Sequence, residues 1–248
     1  MSKKSPRKKS VDKTEKNGVE ENANVQECIK TLRELVKEEK NLNVRTDDVF
    51  LLRFLRWVDF DTELAFTKMK HVYKFRTDNR DWFTKKRPSE LENCLSRNIQ
   101  IVLHDRDDAG RRVYIVKLGQ IDTRYVSMFE YTHTDDLFME TIVMEEETQK
   151  NGIAVIMDMA GYSWKLFSWL TPHNNRMGSA KLDCLSIRNL EVHVVNTSFL
   201  LNASIAIVYP FLDAKIKERN CFLLDIQMPR HDVEELNNTK FCEKTVKR

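Results

Sequence analysis

The side chains that could carry out catalysis are few and lie far apart in this sequence. Asp158 follows a short apolar run, and the ends of buried strands often carry reactive groups in open α/β sheets. His193 lies within a second apolar run, and Glu145 to Glu147 form an acidic group near the end of a long helical stretch. A loop cap, a hydrogen-bonded core histidine and a solvated helix face explain these residues at least as well as acid–base chemistry does.

No known catalytic or metal-binding spacing accompanies these residues. The six histidines show neither H-x-H nor H-E-x-x-H spacing, and the five cysteines include no C-x-x-C pair. The six glycines form no G-x-G-x-x-G, no phosphate-binding loop ending in GK[ST] and no G-x-S-x-G. We therefore predict a protein without a metal or a cofactor, and one that is not an enzyme.

Cations beside strongly apolar sequence indicate a different chemistry, the binding of an anionic group. On a wheel of the second predicted helix, Arg53 and Arg56 occupy a narrow polar strip, so we expect both to point outward. The run Phe199 to Leu212 is almost wholly apolar, and Lys215 and Arg219 follow it at helical spacing, where they could receive a phosphate. Such a segment is either a core helix with a solvated continuation or a lid that opens at an anionic membrane.

The pattern of apolar residues predicts the elements that must position these side chains. Helical periodicity predicts helices over about residues 25–40, 46–58 and 61–77, which form a small N-terminal helical unit. Two β-rich runs around a polar turn predict a β-hairpin within residues 99–117. Further helices are predicted over 127–151, after Pro172 and after Asn196, and strands over 153–157 and 190–195. This order predicts an α/β fold in which helices cover a sheet.

Composition sets the class of the protein and its boundaries. The 248 residues are 32% charged and 41% hydrophobic, which is typical of a folded chain with one or two cores. The longest near-apolar run is shorter than the roughly 20 residues that cross a bilayer, and no apolar segment follows the basic N-terminus. Scattered cysteines suit a reducing, cytoplasmic environment. We predict a disordered basic tail over 1–24, a helical domain over 25–95, an α/β domain over 96–227 and a polar tail over 228–248.

Several segments, in this order, resemble the CRAL-TRIO family of lipid-binding and transfer proteins, in the branch of α-tocopherol transfer protein, clavesin and cellular retinaldehyde-binding protein. The resemblance covers about residues 25–222 and rests on segments 46–56, 147–153, 158–161, 170–172, 192–196 and 210–219. It implies an all-helical N-terminal domain and a second domain whose mixed sheet is the floor of an apolar lipid cavity. Helices cover that cavity, and a gate helix moves when the protein docks on a membrane.

The resemblance and the strand pattern together assign the site residues. Alternate residues of a strand share one face, so we expect the two apolar strands, the long helix and the gate helix to line the cavity. The predicted lipid-binding residues are Phe138, Ile142, Ile153, Val155, Met157, Val192, Val194, Phe199 and Ile205. The resemblance also implies a phosphoinositide-binding cluster of Arg56, Arg188, Lys215 and Arg219, in which a further, usually basic position is Leu190 here.

Three functional hypotheses follow. The first is a cytoplasmic, non-enzymatic monomer that binds one hydrophobic molecule, such as a retinoid or a tocopherol-like lipid, and docks on phosphoinositide-bearing membranes, endosomal ones included, without binding nucleic acid. The second is a membrane-recruited adaptor with a vestigial pocket, because the family's C-terminal segment is replaced after Arg219 and the lipid-binding domain is shortened. The third and weakest is an enzyme that uses Asp158 or His193.

Overall fold

The computed structural model describes residues 12–83, 86–211 and 222–226. The chain forms two compact units, one up to Met69 and the other from Lys70 onward. The first unit consists of helices, and the second contains a sheet with helices. Helix α3 (Thr62–Asp78) runs through the division between the two units.

The first unit contains α1 (Asp12–Glu38), α2 (Asp48–Trp57) and the first turns of α3. Asp47 begins α2 as its N-cap, because its carboxylate accepts a hydrogen bond from the backbone N–H of Phe50 at 3.2 Å. Helix α1 packs against α2. The apolar core of this unit contains Ile29, Leu32, Val36, Phe50, Leu51, Phe54, Leu55 and Ala65.

Two features of the first unit differ from the sequence expectations. Helix α1 begins at Asp12, within the stretch predicted to be a disordered tail, since Lys and Glu favour a helix even without an apolar stripe. Arg53 is only 3% exposed and its guanidinium lies 5.5 Å from the centre of the Phe54 ring, so the prediction that it points outward is wrong. A helical wheel identifies the polar strip of a helix but not the surroundings that the strip meets.

The second unit is built on a five-stranded mixed sheet whose strands stand in chain order. The strands are β1 (Gln100–Arg106), β2 (Arg112–Val116), β3 (Ile153–Asp158), β4 (Leu190–Val195) and β5 (Phe222–Ile226). Strands β1 and β2 form an antiparallel hairpin, and β2 to β5 run parallel. The predicted hairpin and both predicted strands are confirmed. The sequence does not predict β5, because so short an apolar run fits a helix or a strand equally well.

Helices and short 3₁₀ turns connect the strands. The helices are α4 (Glu92–Leu95), α5 (Met128–Ile142), α6 (Glu146–Asn151), α7 (Trp164–Phe167), α8 (Pro172–Asp183) and α9 (Phe199–Val208). The 3₁₀ turns are Arg80–Trp82, Pro88–Leu91, Leu118–Gln120 and Tyr209–Phe211. Ser127 and Thr171 cap α5 and α8 with their hydroxyl oxygens, which fixes where these two helices begin.

The long helix predicted over residues 127–151 is interrupted between α5 and α6. Glu145, which lies in the interruption, has an extended backbone. Its Oε2 atom binds Nε of Arg112 at 2.8 Å and Nη2 of Arg106 at 2.7 Å. Glu145 therefore connects the end of α5 to the β1–β2 hairpin. The expectation that Glu145 lies on a solvated helix face is wrong.

Gly152 connects α6 to β3 with a backbone conformation that suits only glycine. Its φ is +96°, and a Cβ atom at this position would lie 2.2 Å from the carbonyl oxygen of Asn189. The same oxygen accepts a hydrogen bond from the N–H of Ile153 at 2.9 Å. Two backbones therefore approach each other closely at Gly152, where the pairing of β3 with β4 begins.

Candidate functional site

An apolar cluster lies between α5 and the face of the sheet that β2, β3 and β4 share. In the strand register, Tyr114 stands beside Val155, and Val155 stands beside Val192. Because alternate residues of a strand share a face, the next row follows two residues further along each strand. That row consists of Val116, Met157 and Val194. The two rows form a continuous apolar surface beneath α5.

Most of the predicted lipid-binding residues belong to this cluster. They are Phe138, Ile142, Ile153, Val155, Met157, Val192 and Val194. Their accessibility differs: Ile142 and Ile153 are 2% and 0% exposed, whereas Phe138 and Met157 are half-buried. Neighbouring side chains cover the two isoleucines, whereas Phe138 and Met157 keep part of their surface accessible. The lipid-binding role of these residues stays a prediction.

A polar group borders the apolar cluster. Asp135 precedes Phe138 by three residues on α5, so the two side chains lie on one face of the helix. The Oδ1 atom of Asp135 accepts a hydrogen bond from the Tyr114 hydroxyl at 2.7 Å and one from Nε2 of Gln100 at 3.4 Å. None of the predicted site residues belongs to this group. The feature that could have revealed it is a carboxylate on the apolar stripe of a helix.

Burial controls the protonation of this polar group. Desolvation by the surrounding protein raises the pKa of the Asp135 carboxyl, and it raises the pKa of the Tyr114 hydroxyl well above its ordinary value. Tyr114 therefore keeps its proton, and its hydroxyl donates a hydrogen bond to Oδ1 of Asp135. The carboxylate acts as the acceptor within this group, and the Tyr114 ring packs 5.9 Å from the Phe138 ring.

Helix α9 has the position of the predicted gate helix, but it does not bring Phe199 into the cluster. The Phe199 side chain, in the first turn of α9, is 86% exposed. Ile207 in the same helix is 37% exposed. The side chain of Ile205 lies outside the described residues. Helix α9 is too short to cross a bilayer, and so is every other apolar helix among the described residues.

Exposed aromatic residues also lie on the elements next to α9. Helix α7 is a neighbour of α9, and its Trp164 is 69% exposed and packs edge-on against Phe167. Tyr209, in the 3₁₀ turn after α9, is 52% exposed. Large apolar side chains in contact with solvent on neighbouring elements mark a surface that binds another apolar surface.

The predicted phosphoinositide-binding residues are distributed over both units. Arg56 is half-buried in α2 of the first unit, and Arg188 is exposed in the second unit, just before β4. Leu190, which replaces a usually basic residue, packs against the apolar cluster. Lys215 and Arg219 lie outside the described residues. The anion-binding role of the four cations stays a prediction.

The candidate catalytic residues have structural partners. Oδ1 of Asp158 accepts a hydrogen bond from the N–H of Ala160 at 2.9 Å and one from Nδ2 of Asn196 at 2.8 Å, so Asp158 fixes the loop after β3. Nε2 of His193 lies 3.0 Å from Oε1 of Glu191, but neither ring nitrogen makes a hydrogen bond in the described part of the chain, and desolvation lowers the pKa of His193. In the described part of the chain, no three His, Cys, Asp or Glu side chains gather in a way that could hold a metal ion.

The fold and the site together define a class of protein. A helical unit is followed by a mixed sheet, α5 covers the apolar face of that sheet, and α9 is an apolar helix with exposed side chains. A family model described as the CRAL/TRIO domain matches residues 96–236, and one described as the Pinta-like UBA domain matches residues 21–93. The chain belongs to the CRAL/TRIO family of lipid-binding and transfer proteins, which confirms the resemblance found in the sequence.

Individual relatives agree with this assignment. The human alpha-tocopherol transfer protein-like protein is 32% identical over 193 residues, which are 77% of this chain and 56% of the relative. Clavesin-1 from Xenopus laevis is 31% identical over 179 residues, 71% of this chain and 54% of the relative. The chain thus spans little more than half the length of these relatives. The crystal structure of Sfh5 shares the fold, with a TM-score of 0.54 and 13% identity over 81% of this chain and 80% of that one.

Proposed function

We propose that this protein is a non-enzymatic carrier that binds one hydrophobic small molecule beneath α5 and transfers it between membranes. The observation that carries the proposal is the exposure of α9. An apolar helix that presents Phe199 to solvent is suited to meet a lipid surface. The names of the relatives support the transfer of a tocopherol-like or similar molecule.

The energetics of this function favour exchange over catalysis. Burial of roughly 400–500 Å² of a lipid tail contributes about 10–12 kcal/mol at about 25 cal/mol per Å², before the costs of ordering. A bilayer offers the same tail a comparable stabilisation. Transfer is therefore nearly balanced in free energy, and the protein needs a movable cover rather than reactive groups.

Native mass spectrometry with lipid extraction tests this proposal. We expect the protein, purified from a eukaryotic host, to carry one hydrophobic molecule per chain, because an apolar cluster with accessible surface retains such a ligand through purification. A well-folded protein that stays empty, even after incubation with lipid vesicles, would contradict the carrier function. That result would favour the membrane-recruited adaptor.

The same proposal includes docking on phosphoinositide-bearing membranes from the cytoplasm. Arg56, Arg188, Lys215 and Arg219 supply positive charge, and Phe199 and the exposed Trp164 supply apolar surface. Cations near an anionic leaflet contribute about 1 kcal/mol each, and inserted aromatic side chains add a contribution that does not depend on salt. The two contributions can therefore be separated by experiment.

Replacement of both Lys215 and Arg219 with Ala should weaken binding to phosphoinositide vesicles about 30-fold at low salt, from the loss of about 2 kcal/mol. The salt dependence of binding should become flatter, because fewer charges contribute. Vesicle co-sedimentation over a range of salt concentrations measures both effects. The matched control replaces Lys30 and Lys37, which are exposed on α1, and removes the same net charge.

A second variant tests the contribution of apolar side chains to membrane docking. We expect Phe199→Ser to weaken vesicle binding by about 10- to 100-fold, since burial of a Phe side chain contributes about 1.5–3 kcal/mol, and to leave the salt dependence unchanged. Leu64→Ser, at a side chain that is 43% exposed in α3, serves as the control. If either control variant loses as much vesicle binding as its test variant, the result contradicts this docking surface.

A further inference from the structure

An exposed tyrosine meets two guanidinium groups on the surface of the second unit. The Tyr125 side chain is 56% exposed and lies in the turn before α5. The Cζ atom of Arg97 lies 4.9 Å from the centre of its ring, and the Cζ atom of Arg124 lies 5.4 Å from that centre. Both arginines are exposed, so the ring and the two cations remain accessible to a binding partner.

Hydrogen bonds hold these three residues in place. Asn93, on α4, donates from Nδ2 to the carbonyl oxygen of Tyr125 at 2.7 Å. Its Oδ1 atom accepts a hydrogen bond from Nη2 of Arg97 at 3.2 Å. The Asp122 carboxylate accepts from Nε of Arg124 at 3.0 Å and from Nη2 at 2.6 Å. The arrangement is therefore formed before a ligand arrives, which reduces the entropy cost of binding.

Helix α7 lies beside this arrangement. Its Leu166 belongs to one buried cluster with Ile121 and Val126, which stand on either side of the turn that carries Tyr125. Helix α7 is also a neighbour of α9. It therefore adjoins both the turn around Tyr125 and the helix that we propose to meet the membrane.

Helix α7 adds a third cation, Lys165, which is exposed next to the exposed Trp164. Hydrogen bonds from Arg124 are the main cause that lowers the pKa of Asp122 to about 2, and the positive charge of Lys165 contributes to that shift. Lys165 therefore lies close enough to act on the turn around Tyr125. We call the following five residues the Tyr125 surface: Arg97, Arg124, Tyr125, Trp164 and Lys165.

The charges of the Tyr125 surface are only partly balanced. Asp122 pairs with Arg124, whereas no carboxylate in the described part of the chain pairs with Arg97 or Lys165. A further carboxylate, that of Glu130, takes part in the capping box of α5. Two cations therefore carry a charge that an external anion can neutralise.

We infer that the Tyr125 surface is a second membrane contact, in which the two cations without a carboxylate partner bind phosphate groups of anionic lipids and the two aromatic side chains enter the lipid–water interface. The inference rests on the proposed membrane docking and adds a contact outside the predicted phosphoinositide-binding cluster. Tyr and Trp side chains favour this interface, and guanidinium and ammonium groups pair with phosphate there. Because all five side chains are exposed, the surface responds to the negative charge of the membrane and does not select one headgroup.

Vesicle co-sedimentation of the double variant Arg97→Ser, Lys165→Ser tests the inference. We expect this variant to bind vesicles of phosphatidylcholine and phosphatidylserine about 10- to 30-fold more weakly than the parent at low salt, since two cations near an anionic leaflet are lost. Vesicles with a phosphoinositide in place of phosphatidylserine, at equal total charge, should show the same factor. Binding of the variant should also depend less on salt.

The matched control is Lys30→Ser, Lys37→Ser, which removes the same charge from exposed positions of α1 and should bind nearly as tightly as the parent. Parent-like binding by the Arg97→Ser, Lys165→Ser variant, an equal loss in the control, or a loss confined to phosphoinositide vesicles would overturn the inference and leave the proposed docking standing. If the parent binds neither kind of vesicle, both proposals fail.

Circular dichroism checks that the double variant folds. If it does not fold, Lys165→Ser alone decides, because this exposed side chain makes no hydrogen bond in the part of the chain that the structure describes. The single variant should bind both kinds of vesicle about fivefold more weakly than the parent. Unchanged binding would overturn the inference.

Discussion

Gly152→Ala should lower the free energy of unfolding of the second unit by at least about 3 kcal/mol. Alanine adopts the backbone conformation with φ of +96° only under strain, and its Cβ would lie 2.2 Å from the carbonyl oxygen of Asn189. A backbone oxygen at the start of β4 cannot move aside without loss of its hydrogen bond to Ile153. Urea denaturation followed by tryptophan fluorescence measures the change.

Gly178→Ala provides the matched control for this prediction. Gly178 is an exposed residue within α8, and a Cβ atom placed there meets no heavy atom within 4 Å. The same substitution should therefore stabilise the protein, by about 0.5–1 kcal/mol, because alanine loses less backbone entropy in a helix. Opposite signs for the two variants are expected. Similar free energies for both would show that the backbone approach at Gly152 is relaxed in solution.

Lys181→Met should lower the free energy of unfolding by about 3 kcal/mol or more. The substitution keeps a long apolar stem but removes the ammonium group that lies 2.7 Å from the Asp136 carboxylate. Both side chains are nearly covered, with 13% and 11% of their surface exposed, so water replaces the lost charge poorly. The same ammonium group holds the Trp82 carbonyl, which joins α8 to the 3₁₀ turn at Arg80–Trp82.

A double variant separates the ion pair from general packing. When Asp136→Leu is added to Lys181→Met, the remaining buried charge is removed, and most of the lost stability should return. Urea denaturation of the four members of this cycle gives the coupling free energy between the two residues. A double variant that is less stable than Lys181→Met alone would show that packing, rather than the lost ion pair, dominates.

The sequence predicts the sheet well because local patterns determine it. Apolar runs of five or six residues locate β3 and β4, and alternation within them correctly places Val155 and Val192 on one face. The same regularity places Phe138 and Ile142 against that face. The positions of these residues can be predicted without their distant partners, because the spacing of the apolar residues reveals which face is buried.

The features that escape prediction depend on partners far away in the sequence. The interruption of the helix at Glu145 reflects its bonds to Arg106 and Arg112, which lie more than thirty residues earlier. Asp135 contradicts the apolar pattern of α5, and only the approach of Tyr114 explains how its carboxylate is accommodated. Phe199 shows the reverse: an apolar residue predicts burial, yet its position in the fold leaves it exposed.

The pairing of β4 with β5 has a mechanical consequence. Phe222, the first residue of β5, pairs with Val192, so the chain leaves the sheet after Val195 and returns beside it one strand away. Given the spacing along and between strands, Val195 and Phe222 are only roughly 11 Å apart. Two parallel strands need a crossover connection, and α9 lies within the one that joins β4 to β5. The two ends of the segment that carries α9 are therefore held by neighbouring strands of one sheet.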